Sequence, residues 1–309
     1  GRFVFDERFS MNVSALFAVC VLIWGTTWYA ITFQLAGATP EVGTALRFSL
    51  AAVVLIVWCL WRRIELRFSW PVQAWLVLLG ILNFSATYVL VYFAELYIVS
   101  GLVAVGYSAM LLVNIALSRI FFGTSLSRRV GFGGVCGVAG IALIFWPEFE
   151  RLTTSEPLLI GAVLTAAAVL FSSLGNMIVA RNHSHGVGGS AALALAMAYG
   201  ALVTWIFVIA RGDPIVIAWT PAFVVSLIYL AIFGSVLAFG AYFALLAGIG
   251  PARSAYVGVM STVVALFVSS IFEAYDWRWA TVFGIALAIL GNVLALNVKP
   301  AIPSTKPVA

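Results

Sequence analysis

The sequence predicts an all-α membrane protein with ten transmembrane helices, built as two inverted five-helix repeats. This prediction rests on the composition, on ten long apolar runs and on a self-similarity at half the chain length. Of the 309 residues, 64% are hydrophobic and 9% are charged, whereas a soluble domain carries about 25% charged residues. Because so few charges cannot cover a water-soluble fold of this size, the lipid bilayer is expected to surround most of the chain.

Each long apolar run is a candidate membrane span, because a helix needs about 20 mostly apolar residues to cross the hydrocarbon core. The runs are longer than β-strands and show no alternation of apolar and polar residues, which favours helices over a β-barrel. The first run has no small-residue cleavage pattern, so we expect a true span rather than a signal peptide. The predicted spans are 12–36, 40–61, 72–94, 97–121, 128–146, 157–180, 188–210, 220–246, 251–273 and 277–297.

The basic residues predict the orientation of these spans. With both ends of the chain in the cytoplasm, twelve cations lie on the cytoplasmic side and three lie outside, as the positive-inside rule requires. Because the cations stand in ones and twos between apolar runs, the net charge of +5 indicates topology and no nucleic-acid partner. We expect a bacterial inner membrane, with a cytoplasmic segment 1–11, a periplasmic connector 147–156 and a cytoplasmic tail 298–309.

A single offset of 150 residues aligns the two halves of the chain without gaps. Because each half has an odd number of spans, the second half would be inverted, and repeats 12–146 and 157–297 would enclose a site near the membrane midplane. The alternative is a chance alignment of two apolar sequences. Identical pairs at this offset include Ser85 and Ser235, Tyr92 and Tyr242, Phe93 and Phe243, and Arg128 and Arg278.

The sequence does not favour an enzyme. His183 and His185 share a short loop without a nearby set of catalytic side chains, and no phosphate-binding loop of the GxxxxGK[ST] type occurs. Cys20, Cys59 and Cys136 lie inside apolar segments without metal-ligand spacing. We therefore expect no enzymatic activity, no cofactor and no metal site.

Short motifs in several predicted helices and in one turn carry a resemblance to a known family. They are the stretch Trp24-Gly25-Thr26-Thr27-Trp28, Pro40 followed by Arg47 and Phe48, Gly250-Pro251-Ala252-Arg253, and Gly284 with Gly291. In these motifs, and over residues 12–297, the chain resembles the EamA-like branch of the drug/metabolite transporter (DMT) superfamily. The aromatic-rich third and fourth helices look most like the YddG-type exporters of aromatic and other amino acids.

The resemblance implies a secondary carrier that exports neutral amino acids, aromatic ones included, by alternating access. A multidrug or other small-metabolite exporter of the same fold is the alternative, and a channel or assembly protein is a third class. The chain departs from the family pattern where Leu111 and Met260 stand near positions that usually hold proline in helices four and nine. The ending Phe122-Gly123-Thr124 also lacks the usual acidic residue.

Polar side chains inside the spans form two stripes at helical spacing. Such groups normally face the interior of a helix bundle or a water-filled cavity, although hydrogen bonding between helices is an equally good explanation for any single residue. The stripes are Ser85, Tyr88, Tyr92 and Glu95 on the third helix, and Ser100, Tyr107, Asn114 and Ser118 on the fourth.

An amino acid substrate needs donors for its carboxylate, carbonyl oxygens or an aromatic face for its ammonium group, and apolar walls for its side chain. Uncharged polar and aromatic residues near the middle of the spans supply these groups. The predicted substrate-binding residues are Trp24, Asn83, Tyr88, Tyr107, Asn114, Asn176, Tyr256 and Ser261.

Arg47 is the one basic residue well inside a predicted span. We expect it to snorkel towards the outer membrane surface and to act as a structural or gating partner of Glu95 or Glu41. Glu95 and Glu273 stand at outer ends of spans, where water is available. Because no carboxylate lies at mid-depth, facilitated export is at least as plausible as proton coupling.

Small residues recur at helical spacing on two predicted spans. Gly133 and Gly137 share one face of the fifth span, and Gly284 and Gly291 share one face of the tenth. Such faces allow close helix contact, either within one bundle, which we favour, or between two subunits. The functional unit is therefore expected to be a monomer in the lipid bilayer.

Overall fold

A computed structural model describes residues 13–123, 128–151, 156–273 and 278–296. Within these ranges all regular secondary structure is helical, and no β-strand occurs. Two π-helical segments, Gly80–Ala86 and Ile232–Leu237, interrupt otherwise α-helical spans. The α-helices are α1 (Val13–Leu35), α2 (Pro40–Trp61), α3 (Trp70–Leu79), α4 (Thr87–Ala94), α5 (Ser100–Tyr107), α6 (Met110–Phe122), α7 (Arg128–Arg151), α8 (Glu156–Ser184), α9 (Gly189–Arg211), α10 (Pro221–Ala231), α11 (Ala238–Ile249), α12 (Pro251–Ser254), α13 (Tyr256–Phe272) and α14 (Trp279–Leu296).

Eight helical stretches in the described part of the chain are long and apolar enough to cross a membrane. The two further predicted spans, 128–146 and 277–297, coincide with α7 and α14, whose apolar stretches Gly131–Gly140 and Trp279–Gly291 are shorter. The chain is therefore an all-helical membrane protein with eight candidate spans among the described residues. These are Val13–Leu35, Pro40–Trp61, Trp70–Ala94, Ser100–Phe122, Pro157–Ser184, Gly189–Arg211, Pro221–Ile249 and Pro251–Phe272.

The two π-helical segments lie at corresponding places in the two halves of the chain. Each one sits in the middle of a candidate span, between α3 and α4 or between α10 and α11. A π-turn contains one more residue than an α-turn, so it rotates the helix face that follows and frees main-chain groups for other partners. The carbonyl of Gly234 illustrates this, because it accepts hydrogen bonds from the side chains of Trp24 and Arg47.

Two candidate spans depart from regular α-helical hydrogen bonding, between α5 and α6 and between α12 and α13. The main-chain N–H groups of Ser108, Ala109 and Gly258 donate to the carbonyl three residues earlier, as in a 3₁₀ turn. The hydroxyls of Ser108 and Thr262 are 2.8 Å apart, and Thr262 also donates to the carbonyl of Ala104. Side-chain hydrogen bonds thus join the two spans next to these turns.

Contacts between the helices follow a regular pattern. α1 packs on α13, and α8 packs correspondingly on α6; likewise α4 packs on α8, and α11 packs on α1. α2 packs on α9, and α7 packs on α14. When the helices of the first half of the chain are exchanged with the corresponding helices of the second half, each of these contacts maps onto another contact or onto itself.

Glycines allow helices to cross at main-chain contact. A Cβ atom at Gly200 in α9 would lie 2.6 Å from the Cβ of Phe84 and 2.7 Å from the carbonyl oxygen of Gly80. A Cβ atom at Gly291 in α14 would lie 2.5 Å from the carbonyl oxygen of Gly133 in α7. The small residues of these two helices therefore pack against each other within one chain.

Candidate substrate cavity

A candidate site is a cavity among the central helices α1, α4, α5, α6, α8, α11 and α13. The cavity lies beside the middle of the candidate spans, close to both π-helical segments. Its lining residues are Trp24, Thr27, Trp28, Ile31, Tyr88, Val91, Tyr107, Met110, Ser172, Asn176, Phe239, Tyr242, Gly258 and Ser261.

Aromatic rings dominate the cavity wall. The ring centroids of Trp24 and Tyr242 are 4.9 Å apart, and those of Trp28 and Tyr107 are 5.0 Å apart. Trp24 also packs against Phe239 at 5.1 Å. The indole nitrogen of Trp24 donates to the carbonyl of Gly234 at 3.1 Å, so its orientation is fixed by the second π-helical segment.

The polar part of the wall consists of uncharged side chains. The amide nitrogen of Asn176 on α8 donates to the hydroxyl of Tyr242 at 3.2 Å and lies 3.7 Å from the sulfur of Met110. Ser261 donates to the carbonyl of Gly258 in its own helix. No charged residue is among the lining residues, so the cavity can bind a solute through hydrogen bonds and aromatic faces without a fixed countercharge.

Five of the predicted substrate-binding residues line this cavity, and three do not. Trp24, Tyr88, Tyr107, Asn176 and Ser261 contribute to the wall. This convergence brings together side chains from five separate helices.

The other three predicted residues lie outside the lining set. Asn83 is 1% exposed and packs against Gly175, and its amide atoms have no hydrogen-bond partner. Asn114 lies behind Asn176 and donates to the carbonyl of Pro251 at 3.2 Å. Tyr256 belongs to a separate apolar cluster with Leu111, Ala255 and Val259.

Sequence reasoning did not select several lining residues, notably Trp28, Phe239 and Tyr242. Two signals were available. Trp28 stands one helical turn after Trp24 in the first-helix motif, and Tyr242 is the counterpart of Tyr92 at the offset of 150 residues. No feature of the sequence distinguishes Phe239, because the chain is rich in apolar residues throughout.

The two predicted polar stripes do not each form a single face. Ser85 lies in the first π-helical segment and accepts a hydrogen bond from Thr204 of α9, whereas Tyr88 lines the cavity. On the fourth span, Ser100 bonds to Glu273 and Ser118 contacts Met177 of α8. The extra residue of the π-turn and the 3₁₀ turn at Ser108 rotate the parts of each span relative to one another.

Arg47 does not snorkel to the surface, because it is 1% exposed. Its Nε donates to the hydroxyl of Ser235 at 3.0 Å, and one terminal nitrogen lies 3.4 Å from the carbonyl oxygen of Gly234. The guanidinium carbon is 4.5 Å from the ring centroid of Tyr88. Arg47 therefore binds the second π-helical segment directly behind one wall of the cavity.

The acidic residues near this end of the bundle also differ from expectation. Glu41 forms its ion pair with Arg211, at 3.2 Å, and not with Arg47. Glu95 is not solvated, because both carboxylate oxygens are inaccessible and have no hydrogen-bond partner. Arg47 acts on Glu95 electrostatically, as does Glu273.

Comparison with known proteins agrees with a membrane transporter. Similar proteins include an uncharacterized inner membrane transporter, YedA, of Escherichia coli K12 (26% identity, covering 95% of this chain and 94% of that protein). Others are an uncharacterized transporter, YvbV, of Bacillus subtilis (23%; 93% and 92%) and protein PecM of Dickeya dadantii (25%; 92% and 92%). A solved structure with 18% identity aligns with a TM-score of 0.71 over 92% of this chain and 96% of that one, which shows a shared fold.

The sequence profile of the EamA-like transporter family matches the chain twice, over residues 12–146 and 159–297. The two matches cover most of the described helices, and the relatives named as transporters align over nearly their whole length. With its apolar helices and central cavity, this chain belongs to the EamA-like transporter family of the DMT superfamily.

Proposed function

We propose that the protein is a secondary carrier that exports neutral amino acids, aromatic ones included, across a bacterial inner membrane by alternating access. The observation that carries this proposal is the cavity among the central helices, whose wall combines six aromatic rings with uncharged hydrogen-bonding groups. A carrier needs a site that binds its solute well enough to recognise it and weakly enough to release it.

The chemistry of the wall suits a zwitterion with an apolar side chain. An ammonium group over a Tyr or Trp ring gains about 0.5–2 kcal/mol, and Trp24, Trp28 and Tyr107 offer such faces. The Asn176 amide is a donor for the carboxylate. Met110 and Phe239 supply the apolar surface that a side chain such as that of phenylalanine would contact.

The proposed architecture is ten spans in two inverted repeats, with both ends of the chain in the cytoplasm and the monomer as the functional unit. Three observations support the repeat: the family profile matches twice, the π-helical segments correspond, and the helix contacts map onto one another when the halves are exchanged. Reporter tags at both ends should report the same side of the membrane. A result that places the ends on opposite sides contradicts this architecture.

A second candidate function is the export of drugs or other small metabolites. It is favoured by the largely apolar wall, which would accept an aromatic cation as readily as an amino acid. The two candidates differ in one requirement, because only the amino acid carrier needs a donor for a carboxylate within the cavity.

Counterflow in proteoliposomes tests the proposal. Purified protein is reconstituted into vesicles loaded with unlabelled phenylalanine or threonine, and the uptake of the labelled amino acid is followed. We expect accelerated, saturable uptake that Asn176→Ala weakens and that a cavity-remote control, Glu65→Gln, leaves intact. If neither amino acid accelerates uptake while an aromatic organic cation does, the second candidate replaces the first.

A further inference from the structure

Two carboxyl groups meet at the end of the bundle formed by the ends of α4 and α13. Glu95 directly follows α4 and Glu273 directly follows α13, each just beyond a candidate span. The two side chains interact electrostatically. The hydroxyls of Ser100 and Ser269 donate to one oxygen of Glu273, at 2.7 Å and 2.5 Å.

The two carboxyl groups have opposite surroundings. Glu273 has two hydroxyl donors, Ser100 and Ser269. Glu95 has no donor, and both of its oxygens are inaccessible to water. Ionising a buried carboxyl group that has no donor is costly.

These surroundings favour the protonated form of Glu95. Burial and, next, the negative charge of Glu273 raise the pKa of Glu95 well above its usual range, while Arg47 acts in the opposite direction. A raised pKa keeps the proton bound at pH values where an exposed glutamate is ionised. The proton is lost when the pH rises through that higher value.

Arg47 is the cation to which an ionised Glu95 would be attracted. It is 1% exposed, and its Nη1 has no acceptor in good geometry, although the hydroxyls of Tyr88 and Tyr92 lie close to the guanidinium group. In the described part of the chain, the ionisable groups that face Glu95 are thus Glu273, Arg47 and Tyr92.

Arg47 also connects this site to the cavity. Its other nitrogens bind Ser235 and the carbonyl of Gly234, and that carbonyl accepts the indole N–H of Trp24. The guanidinium group lies over the ring of Tyr88. A displacement of the Arg47 side chain would therefore change the surroundings of two residues of the cavity wall, Trp24 and Tyr88.

We propose that Glu95 is the proton-binding group that couples this carrier to a proton gradient, an inference that rests on the proposed carrier function. In this scheme Glu95 holds the proton in the state that the structure describes, in which both of its oxygens are buried without a hydrogen-bond partner. When another state of the proposed transport cycle admits water to Glu95, its O–H bond breaks, the proton passes to that water, and the new carboxylate is attracted to Arg47. A proton from water restores the first state, so proton release and solute binding are linked through Arg47.

The protonation state can be measured without any substrate. Infrared spectra of the protein in lipid vesicles, recorded across a pH series, detect the C=O stretch of a protonated carboxyl group. We expect a band that persists at neutral pH, disappears at alkaline pH, is absent in Glu95→Gln and is unchanged in the control Glu65→Gln. If the band is missing at neutral pH, or is present in Glu95→Gln, the proposal is overturned. Thermal unfolding of each variant establishes that it is folded.

Coupling is measured in the same vesicles with an internal pH dye. In the wild type, an outward solute gradient should move protons, and a pH gradient should drive solute accumulation. Both effects should be lost in Glu95→Gln and kept in Glu65→Gln. Wild-type counterflow without proton movement, or accumulation driven by sodium instead, overturns the coupling role while leaving the carrier function standing. Absence of counterflow with every solute rejects the carrier function and the coupling role with it, whatever the infrared band shows.

Discussion

The crossing of α9 with the first π-helical segment provides a quantitative test of the fold. In Gly200→Ala, the added Cβ would lie 2.6 Å from the Cβ of Phe84 and 2.7 Å from the carbonyl oxygen of Gly80. These neighbours belong to the main chain or are attached directly to it, so they cannot move aside as a flexible side chain would. Overpacking of this kind costs about 1–3 kcal/mol.

A matched control isolates this packing cost. Alanine in a helix gains up to about 1 kcal/mol over glycine through its intrinsic propensity, and Gly248 in α11 has no atom within 4 Å of its would-be Cβ. We therefore expect Gly248→Ala to be as stable as the wild type or more so, and Gly200→Ala to be less stable than Gly248→Ala by about 1–3 kcal/mol. The assay is equilibrium unfolding in mixed detergent micelles. Equal stability of the two variants would refute the proposed main-chain contact.

Three further predictions concern single side chains. Asn176→Ala removes the donor to Tyr242, so the KM for solute transport should rise. The KM is measured by counterflow at graded solute concentrations. An unchanged KM would show that Asn176 does not bind the solute. Trp24→Phe keeps an aromatic ring but loses the hydrogen bond to the carbonyl of Gly234. The free energy of unfolding should therefore fall by about 0.6 kcal/mol, the mean for a hydrogen bond between membrane helices. A larger loss would indicate a packing defect. Arg211→Gln removes the ion pairs with Glu41 and Asp213, and the side chain of Glu41 is only 7% exposed. The free energy of unfolding should therefore fall by more than the value of about 1 kcal/mol for a fully exposed pair, and an unchanged value would contradict a role of Arg211 in neutralising Glu41.

The apolar helices could be predicted from the sequence because the bilayer imposes their length and composition. Runs of about 20 apolar residues locate the eight candidate spans well, from Val13–Leu35 to Pro251–Phe272. For α7 and α14, the helices are present where the sequence predicts spans, but their apolar stretches are shorter. The orientation of the chain and the inverted repeat stay predictions.

The candidate site was harder to predict from the sequence, because the prediction assumed regular α-helical periodicity. Trp24 and Asn176 lie on uninterrupted helices, and both line the cavity. Asn83 lies within a π-helical segment, where the extra residue rotates its side chain away from the cavity towards Gly175. A local change of helix type leaves no distinct signal in a single apolar sequence.

The surroundings of Arg47 could not be predicted for a different reason. Its partners, Gly234 and Ser235, are nearly 190 residues away in the chain. Only the packing of α2 on the second π-helical segment brings them together. Because that packing was not known from the sequence, the Arg47 guanidinium group was predicted to lie at the membrane surface, where an isolated cation is most stable.

The separate position of α7 and α14 has a consequence for how the bundle can move. These two helices pack mainly on each other, with smaller contacts to α5 and α13, and neither contributes to the cavity wall. For the proposed carrier cycle, we therefore predict that a covalent link between α7 and α14 leaves transport intact. We predict that a similar link between α1 and α11, which pack on each other beside the cavity, arrests transport, because α7 and α14 would then be a fixed support and the central helices the moving part.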